Sequence, residues 1–99
     1  MSDRSAYEQR LNAQLREWSA RIDQLRARAD KASADARIEY QNQLEALEAR
    51  RQAAARTLDQ LQRAGDDAWQ ELRAGAERAW RELQEAVNSA ADRLEAARK

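Results

Sequence analysis

The chain has 99 residues, which is enough for one domain but limits the apolar surface that it can bury. It carries 18 basic and 18 acidic residues, so its formal net charge is zero, and that balance favours neither nucleic acid nor an anionic membrane as a partner. It contains no His and no Cys, which excludes imidazole bases, thiol nucleophiles and disulfide bonds.

The composition predicts an all-α protein. Pro is absent, only two Gly are present, and the abundance of Ala, Arg, Glu, Gln and Leu is typical of a long helix or a coiled coil. The N-terminal segment is charged where a signal peptide is apolar, and no window approaches the apolar length of a membrane span. We therefore expect a cytoplasmic protein.

The first predicted element is a long helix. Apolar residues recur at alternating intervals of four and three from Leu11 to Ala36, which is the spacing of a coiled-coil seam. Two successive intervals of four, through Tyr40 to Leu44, form a stutter before heptads resume and run to Leu61. This pattern predicts one helix over about residues 3–64, roughly 90 Å long at the rise of an α-helix.

Two segments could interrupt the helical pattern. In "RAGDDAWQEL", Gly65 can adopt the left-handed conformation that ends a helix, and Asp66 or Asp67 can cap the next one, so we predict a turn near residues 64–67. In "DKASAD", residues 30–35, Ser33 or Asp35 could act as a cap, but every residue there is also tolerated inside a helix. We therefore expect the helix to continue through residues 30–35. A turn at residues 30–35 would instead give three helices of about 30 residues in a compact bundle.

The second predicted helix, over about residues 67–97, repeats every eleven residues. Trp69 and Leu72 are followed by Trp80 and Leu83, and then by Ala91 and Leu94. This helix can fold back on the second half of the first as a long antiparallel hairpin. Because the first half of the long helix is then uncovered, we expect one coiled-coil domain that self-associates as a homodimer or a larger oligomer.

We call the apolar positions that follow these spacings the predicted seam, and we expect them to form the core and the self-association surface. A Trp at regular helical spacing usually packs in a core, so we interpret Trp69 and Trp80 as packing layers. The predicted seam consists of Leu11, Leu15, Trp18, Ile22, Leu25, Leu44, Leu47, Leu58, Leu61, Trp69, Leu72, Trp80, Leu83 and Leu94.

The sequence offers no catalytic or metal-binding pattern, and we predict a non-enzymatic structural or interaction protein without a cofactor. Two carboxylate pairs could be nominated for hydrolytic chemistry, Asp66 with Asp67 and Glu82 with Glu85. A helix cap explains the first pair and a solvated helix face explains the second.

Two other functions are compatible with the pattern. Eleven-residue amphipathic repeats resemble those of exchangeable apolipoproteins, synucleins and late-embryogenesis-abundant stress proteins, whose helices form on lipid or on drying. The narrow, Ala-rich stripe and the zwitterionic polar face disfavour a membrane surface here. Alternatively, an exposed seam could capture a helix of another protein, with the Trp residues as its main contacts.

Three segments carry a resemblance to known proteins: "YEQRLNAQLREWSARIDQLRARADKA", "ARIEYQNQLEAL" and "AGDDAWQELRAGAERAWREL". Through them nearly the whole chain resembles a family of short bacterial coiled-coil proteins described as stress-response proteins. The resemblance implies a small soluble protein associated with stress, with no catalytic residues to transfer.

Overall fold

The computed structural model describes residues 3–97, and the side chains of residues 3–93. Over this range the predicted all-α class is confirmed: α1 (Asp3–Asp30), α2 (Ala34–Arg63) and α3 (Asp66–Ala97) pack against one another as a three-helix bundle. Short connections make consecutive helices antiparallel, so α1 and α3 run in the same direction. The bundle measures 50 × 19 × 16 Å.

The turn between α1 and α2 corrects the first prediction. One continuous helix over residues 3–64 is wrong, and the alternative with a turn in residues 30–35 is the observed fold. Ser33 is the N-cap of α2, with an extended backbone and a hydroxyl that accepts a hydrogen bond from the Ala36 N–H at 3.4 Å. The guanidinium group of Arg37 donates to the carbonyl oxygens of Asp30 and Ala32, at 3.1 and 3.3 Å. These bonds satisfy backbone groups that a helix end leaves without partners.

Burial of the first half of the chain explains why the turn forms. Trp18 and Ile22 required a partner in the predicted hairpin, whereas here they lie in the same core as residues of α2 and α3. Folding back at residues 31–33 therefore buries within one chain the apolar surface that a straight helix would leave in water.

The second turn lies where the sequence predicts it, with a different conformation. Ala64 is extended, and its N–H donates to the Leu61 carbonyl at 3.3 Å. Gly65 does not have a positive φ, so its predicted left-handed conformation is wrong. Because extended Ala64 changes the chain direction, Gly65 does not need that conformation. Asp66 and Asp67 lie in the first turn of α3 rather than before it, where carboxylates are favoured by the helix dipole.

Most of the predicted seam is buried in the bundle. Leu15 and Leu72 are half-buried against the core, and the side chain of Leu94 lies outside the described residues. The buried members are Leu11, Trp18, Ile22, Leu25, Leu44, Leu47, Leu58, Leu61, Trp69, Trp80 and Leu83.

The core also contains α3 residues outside the predicted seam. Ala76 and Val87 are fully buried, and Ala90 is more deeply buried than Ala91. Intervals of three, four and four connect Trp69 to Trp80, and the later intervals return to three and four. The eleven-residue repeat therefore holds for one period, after which α3 follows heptad spacing.

Candidate functional site

The candidate site lies at the end of the bundle where α1 and α3 begin and α2 ends. Tyr7 of α1 and Trp69 of α3 contact each other edge to face, with ring centroids 5.6 Å apart and an interplanar angle of 77°. Both side chains are more than nine-tenths buried, with exposed fractions of 8% and 4%. This aromatic pair connects α1 to α3, because its two rings come from helices that are not adjacent in the sequence.

Three arginines surround the aromatic pair. The guanidinium groups of Arg10 and Arg73 each lie 5.1 Å from the centre of the Tyr7 ring, and Arg73 also lies 5.9 Å from the Trp69 ring. Arg4 lies 5.6 Å from the Trp69 ring. These distances are within the range of cation–π attraction. We call these five residues the arginine–aromatic cluster.

Two polar atoms of the cluster are buried without a partner. Neither the Tyr7 O–H nor the Trp69 indole N–H donates a hydrogen bond to the protein, although Arg73 lies close enough to the Tyr7 oxygen to lower its pKa by hydrogen bonding. Trp80 differs, because its indole N–H donates to the Leu11 carbonyl oxygen at 3.2 Å. A buried polar group without a partner costs about 1–3 kcal/mol, so each of these two atoms needs an explanation.

The three arginines differ in their ion-pair and hydrogen-bond partners. Arg4 pairs with Glu8 at 3.1 Å and Asp66 at 3.3 Å, and it also donates to carbonyl oxygens at the end of α2. Arg73 pairs with Glu77 at 3.3 Å. Within the described part of the chain, Arg10 has no carboxylate partner. The cluster thus has one arginine held by the backbone, one in a surface ion pair and one without a carboxylate.

An open groove between α1 and α3 runs over the cluster. Its volume is about 860 Å³, and all five cluster residues line it. A smaller groove of about 310 Å³ continues along the same two helices past Trp18 and Trp80. The other residues of the larger groove are Asp3, Ala6, Asp66 and Gln70.

The Tyr7 hydroxyl is held in its neutral form. Burial raises its pKa, and the Glu77 carboxylate raises it further, against the lowering effect of Arg73 and Arg10. At neutral pH the hydroxyl therefore keeps its proton and can act as a donor.

A second charged group lies between α1 and α2, away from the groove. Hydrogen bonding from Arg51 lowers the pKa of Glu48, with a smaller contribution from Arg26 and against the effect of burial. Arg26 reaches Glu48 from α1 at 3.2 Å, and Arg51 contacts it from within α2. We interpret this group as a connection between helices, because both arginines are paired with the same carboxylate.

The nominated carboxylate pairs do not form a site in the structure. Asp66 is almost fully exposed and pairs with Arg4, and Glu82 pairs with Arg50 of α2 at 3.8 Å. Within the described residues, no group of three or more acidic residues is arranged to hold a metal ion. Over the same range, no helix has the length and apolar character needed to cross a membrane.

The sequence predicted only part of this site. It placed Trp69 in the core but did not bring it to Tyr7, and it did not single out Arg4, Arg10 or Arg73. A weak signal exists, because Arg10 follows Tyr7 by three residues and Arg73 follows Trp69 by four, so each arginine shares a helix face with its ring. Joining the two faces requires the parallel packing of α1 and α3.

The chain was compared with known proteins at three levels. No protein-family model, no curated protein and no solved structure matched it. The resemblance to bacterial coiled-coil stress proteins therefore stays a prediction.

Proposed function

We propose that the chain is a non-enzymatic structural and interaction protein that self-associates, with two copies exchanging α1. The observation that supports this is the connection between α1 and α2. It consists of residues 31–33, contains neither Gly nor Pro, and interrupts a sequence whose apolar spacing continues through it. A short connection between two helix-forming segments is the kind of hinge that permits domain swapping.

The apolar spacing is compatible with a straight helix across the hinge. Ala29, Ala32, Ala36 and Tyr40 follow one another at intervals of three, four and four, and each is buried or packed against the core. If residues 31–33 become helical, α1 and α2 join into one helix of roughly 90 Å, and the apolar stripe remains in register.

Exchange preserves the contacts of α1. In the closed chain, the monomer in which α1 packs against α2 and α3 of its own chain, the Leu11 carbonyl accepts from Trp80 and Tyr7 contacts Trp69. Arg21 also donates to Asn88 at 3.1 Å. In the exchanged dimer the same pairs form between two copies. The difference in free energy between the two states then depends mainly on the hinge and on protein concentration.

The hinge itself favours the closed chain. The N-cap of Ser33 and the two hydrogen bonds of Arg37 to Asp30 and Ala32 are made only when the chain turns there. Removing these bonds should shift the equilibrium from the monomer toward the exchanged dimer. Replacing residues 31–33 with poorer helix formers should shift it toward the monomer.

A cross-linking experiment detects exchange directly. Arg21 and Asn88 are hydrogen-bonded through their side chains across α1 and α3, and the chain has no Cys of its own. An Arg side chain is longer than a disulfide bridge, so the double variant Arg21→Cys with Asn88→Cys is joined with a bismaleimide rather than by oxidation. Cross-linking after folding at high concentration should give a covalent dimer if α1 is exchanged, and only internally cross-linked monomers would contradict the proposal. The single variant Arg21→Cys measures dimers formed by collision.

Sedimentation at two concentrations measures the position of the hinge equilibrium. Ser33→Ala should increase the dimer, because it removes a cap from the monomer only. Lys31→Gly should decrease the dimerisation constant by about 30-fold, since a Gly costs about 1 kcal/mol in each of the two long helices of a dimer. Gln41→Gly is the matched control, because residue 41 is exposed and helical in both states. Equal dimer fractions in all four proteins would refute exchange at this hinge.

A further inference from the structure

We infer that the arginine–aromatic cluster binds a phosphate-type oxyanion in the groove between α1 and α3. The anion is held by the guanidinium groups of Arg10 and Arg73, the hydroxyl of Tyr7 and the indole N–H of Trp69. This binding site is independent of the proposed exchange, because the cluster has the same composition whether α1 comes from the same chain or from a second copy.

The unpartnered atoms define the chemistry of the ligand. An indole N–H and a guanidinium group can only donate hydrogen bonds, and the neutral Tyr7 hydroxyl has a proton to donate. A group that satisfies all of them must therefore be an acceptor. An oxyanion offers several acceptor oxygens, and guanidinium groups bind phosphate with two parallel hydrogen bonds.

The two binding arginines are available for an anion. Arg10 has no carboxylate partner among the described residues, and it lies over the Tyr7 ring. Arg73 is paired with Glu77, but both side chains are about half exposed, so an anion in the groove can compete with this pair. Arg4 is a positioning residue, because its hydrogen bonds to the end of α2 hold it beside Trp69.

The burial of the two donors determines how the anion enters. The Tyr7 hydroxyl and the Trp69 indole nitrogen are covered, while the guanidinium groups of Arg10 and Arg73 lie over the rings. Both arginine side chains are long and flexible, so they can swing outward and contact the anion while its oxygens reach the covered donors. Asp3 and Asp66 at the edge of the groove oppose a large polyanion.

The indole resonances of the ¹⁵N-labelled protein provide the test. The probe is inorganic phosphate, added against sodium chloride at matched ionic strength. We expect a saturable shift of the Trp69 indole resonance and little change for Trp80, whose N–H is already bonded to Leu11. A shift that is linear in phosphate and equal to that in chloride would overturn the site.

Matched variants connect the shift to the cluster. Arg10→Gln and Arg73→Gln should each weaken phosphate binding about tenfold, and Arg56→Gln, on the exposed face of α2, should leave it unchanged. Tyr7→Phe keeps the ring and removes the hydroxyl. It should reduce the increase in thermal stability that phosphate produces, relative to chloride, in the unaltered chain. Undiminished binding in both arginine variants would also overturn the site.

The same chemistry occurs in a free phosphate and in a lipid headgroup. Vesicles of phosphatidic acid, compared with vesicles of phosphatidylcholine, distinguish the two sources. Binding to free phosphate that vesicles do not strengthen supports a soluble ligand. Binding to phosphatidic acid vesicles that is tighter than binding to free phosphate, and that Arg10→Gln weakens, supports a headgroup at the same site.

Discussion

The side chain of Arg4 closes the end of α2. Its guanidinium group donates to the carbonyl oxygen of Ala64 at 2.7 Å, and also to those of Leu61 and Gln62 at 3.1 and 3.2 Å. These carbonyl groups belong to a helix end, where no further turn supplies donors. A residue at the start of α1 thus stabilises the end of α2, and it also contacts Trp69 at the start of α3.

Arg4→Ala should lower the free energy of unfolding by about 1–3 kcal/mol, because it leaves charge-assisted hydrogen bonds unmade at a partly buried helix end. Urea denaturation measures this loss. Arg16→Ala, an exposed position of the same helix, is the control and should change stability by less than about 0.5 kcal/mol. Equal losses in the two variants would contradict the capping role of Arg4.

Trp69 and Trp80 should respond differently to replacement by Phe. Trp80→Phe removes a hydrogen bond to Leu11 and leaves that carbonyl with one donor fewer, so about 0.5–1.5 kcal/mol is lost beyond the effect of size. Trp69→Phe removes an indole N–H that has no partner, and therefore costs less. Urea denaturation of the two variants side by side gives the comparison. The reverse order would show that the hydrogen-bond assignments are wrong.

Gly65 and Gly75 test the conformation of the second turn. No heavy atom lies within 4 Å of the Cβ that Ala would add at either position, and neither Gly has a positive φ. Gly75→Ala, at an exposed position inside α3, should therefore raise stability by about 0.5–1 kcal/mol. Gly65 precedes the first residue of α3 and accepts from the Trp69 N–H, a capping position where Ala is less favourable than Gly, so Gly65→Ala should lower stability by about 0.5 kcal/mol. A loss of about 2 kcal/mol at Gly65 would instead indicate the left-handed turn predicted from the sequence.

Glu48 should make stability depend on pH in the acid range. Its folded pKa lies below the ordinary value of 4.5, chiefly because of its hydrogen bond with Arg51. The stability it contributes is present above the pKa of the unfolded chain and is lost as pH falls through the folded pKa. The Glu48→Gln variant should thus be less stable than the unaltered chain at pH 7. This difference in stability should shrink as the pH falls below the ordinary Glu pKa of 4.5. Thermal unfolding across this pH range, with Glu45→Gln as an exposed control, measures the effect.

The bundle should be helical without lipid. Its apolar residues are already buried against one another, and Ile38 is the large apolar side chain that remains exposed among the described residues, at 64%. Far-ultraviolet circular dichroism should therefore show a strongly helical spectrum that vesicles change little. A disordered chain that becomes helical only on lipid would instead support the membrane-surface alternative.

The sequence predicted the helical class and most of the core from local spacing, but not the division of the first predicted helix into α1 and α2. Leu11, Ile22 and Leu58 follow intervals of three and four, and such intervals put residues on one helix face whatever the helix packs against. The core positions at Ala76 and Val87 were missed because Trp and Leu dominated the eleven-residue repeat. Ala76 nevertheless precedes Trp80 by four residues and Val87 follows Leu83 by four, a spacing that puts each pair on one helix face.

What the sequence by itself determined is the all-α class, the apolar stripe and the position of the turn after Arg63. Only the tertiary structure decided that the chain also turns at residues 31–33, because the residues there are tolerated both in a helix and in a turn, and burial of Trp18 and Ile22 favours the turn. The same packing brings Tyr7 and Trp69 together across 62 residues. Local spacing contains no information on that contact, since it depends on which helices meet and in which direction they run.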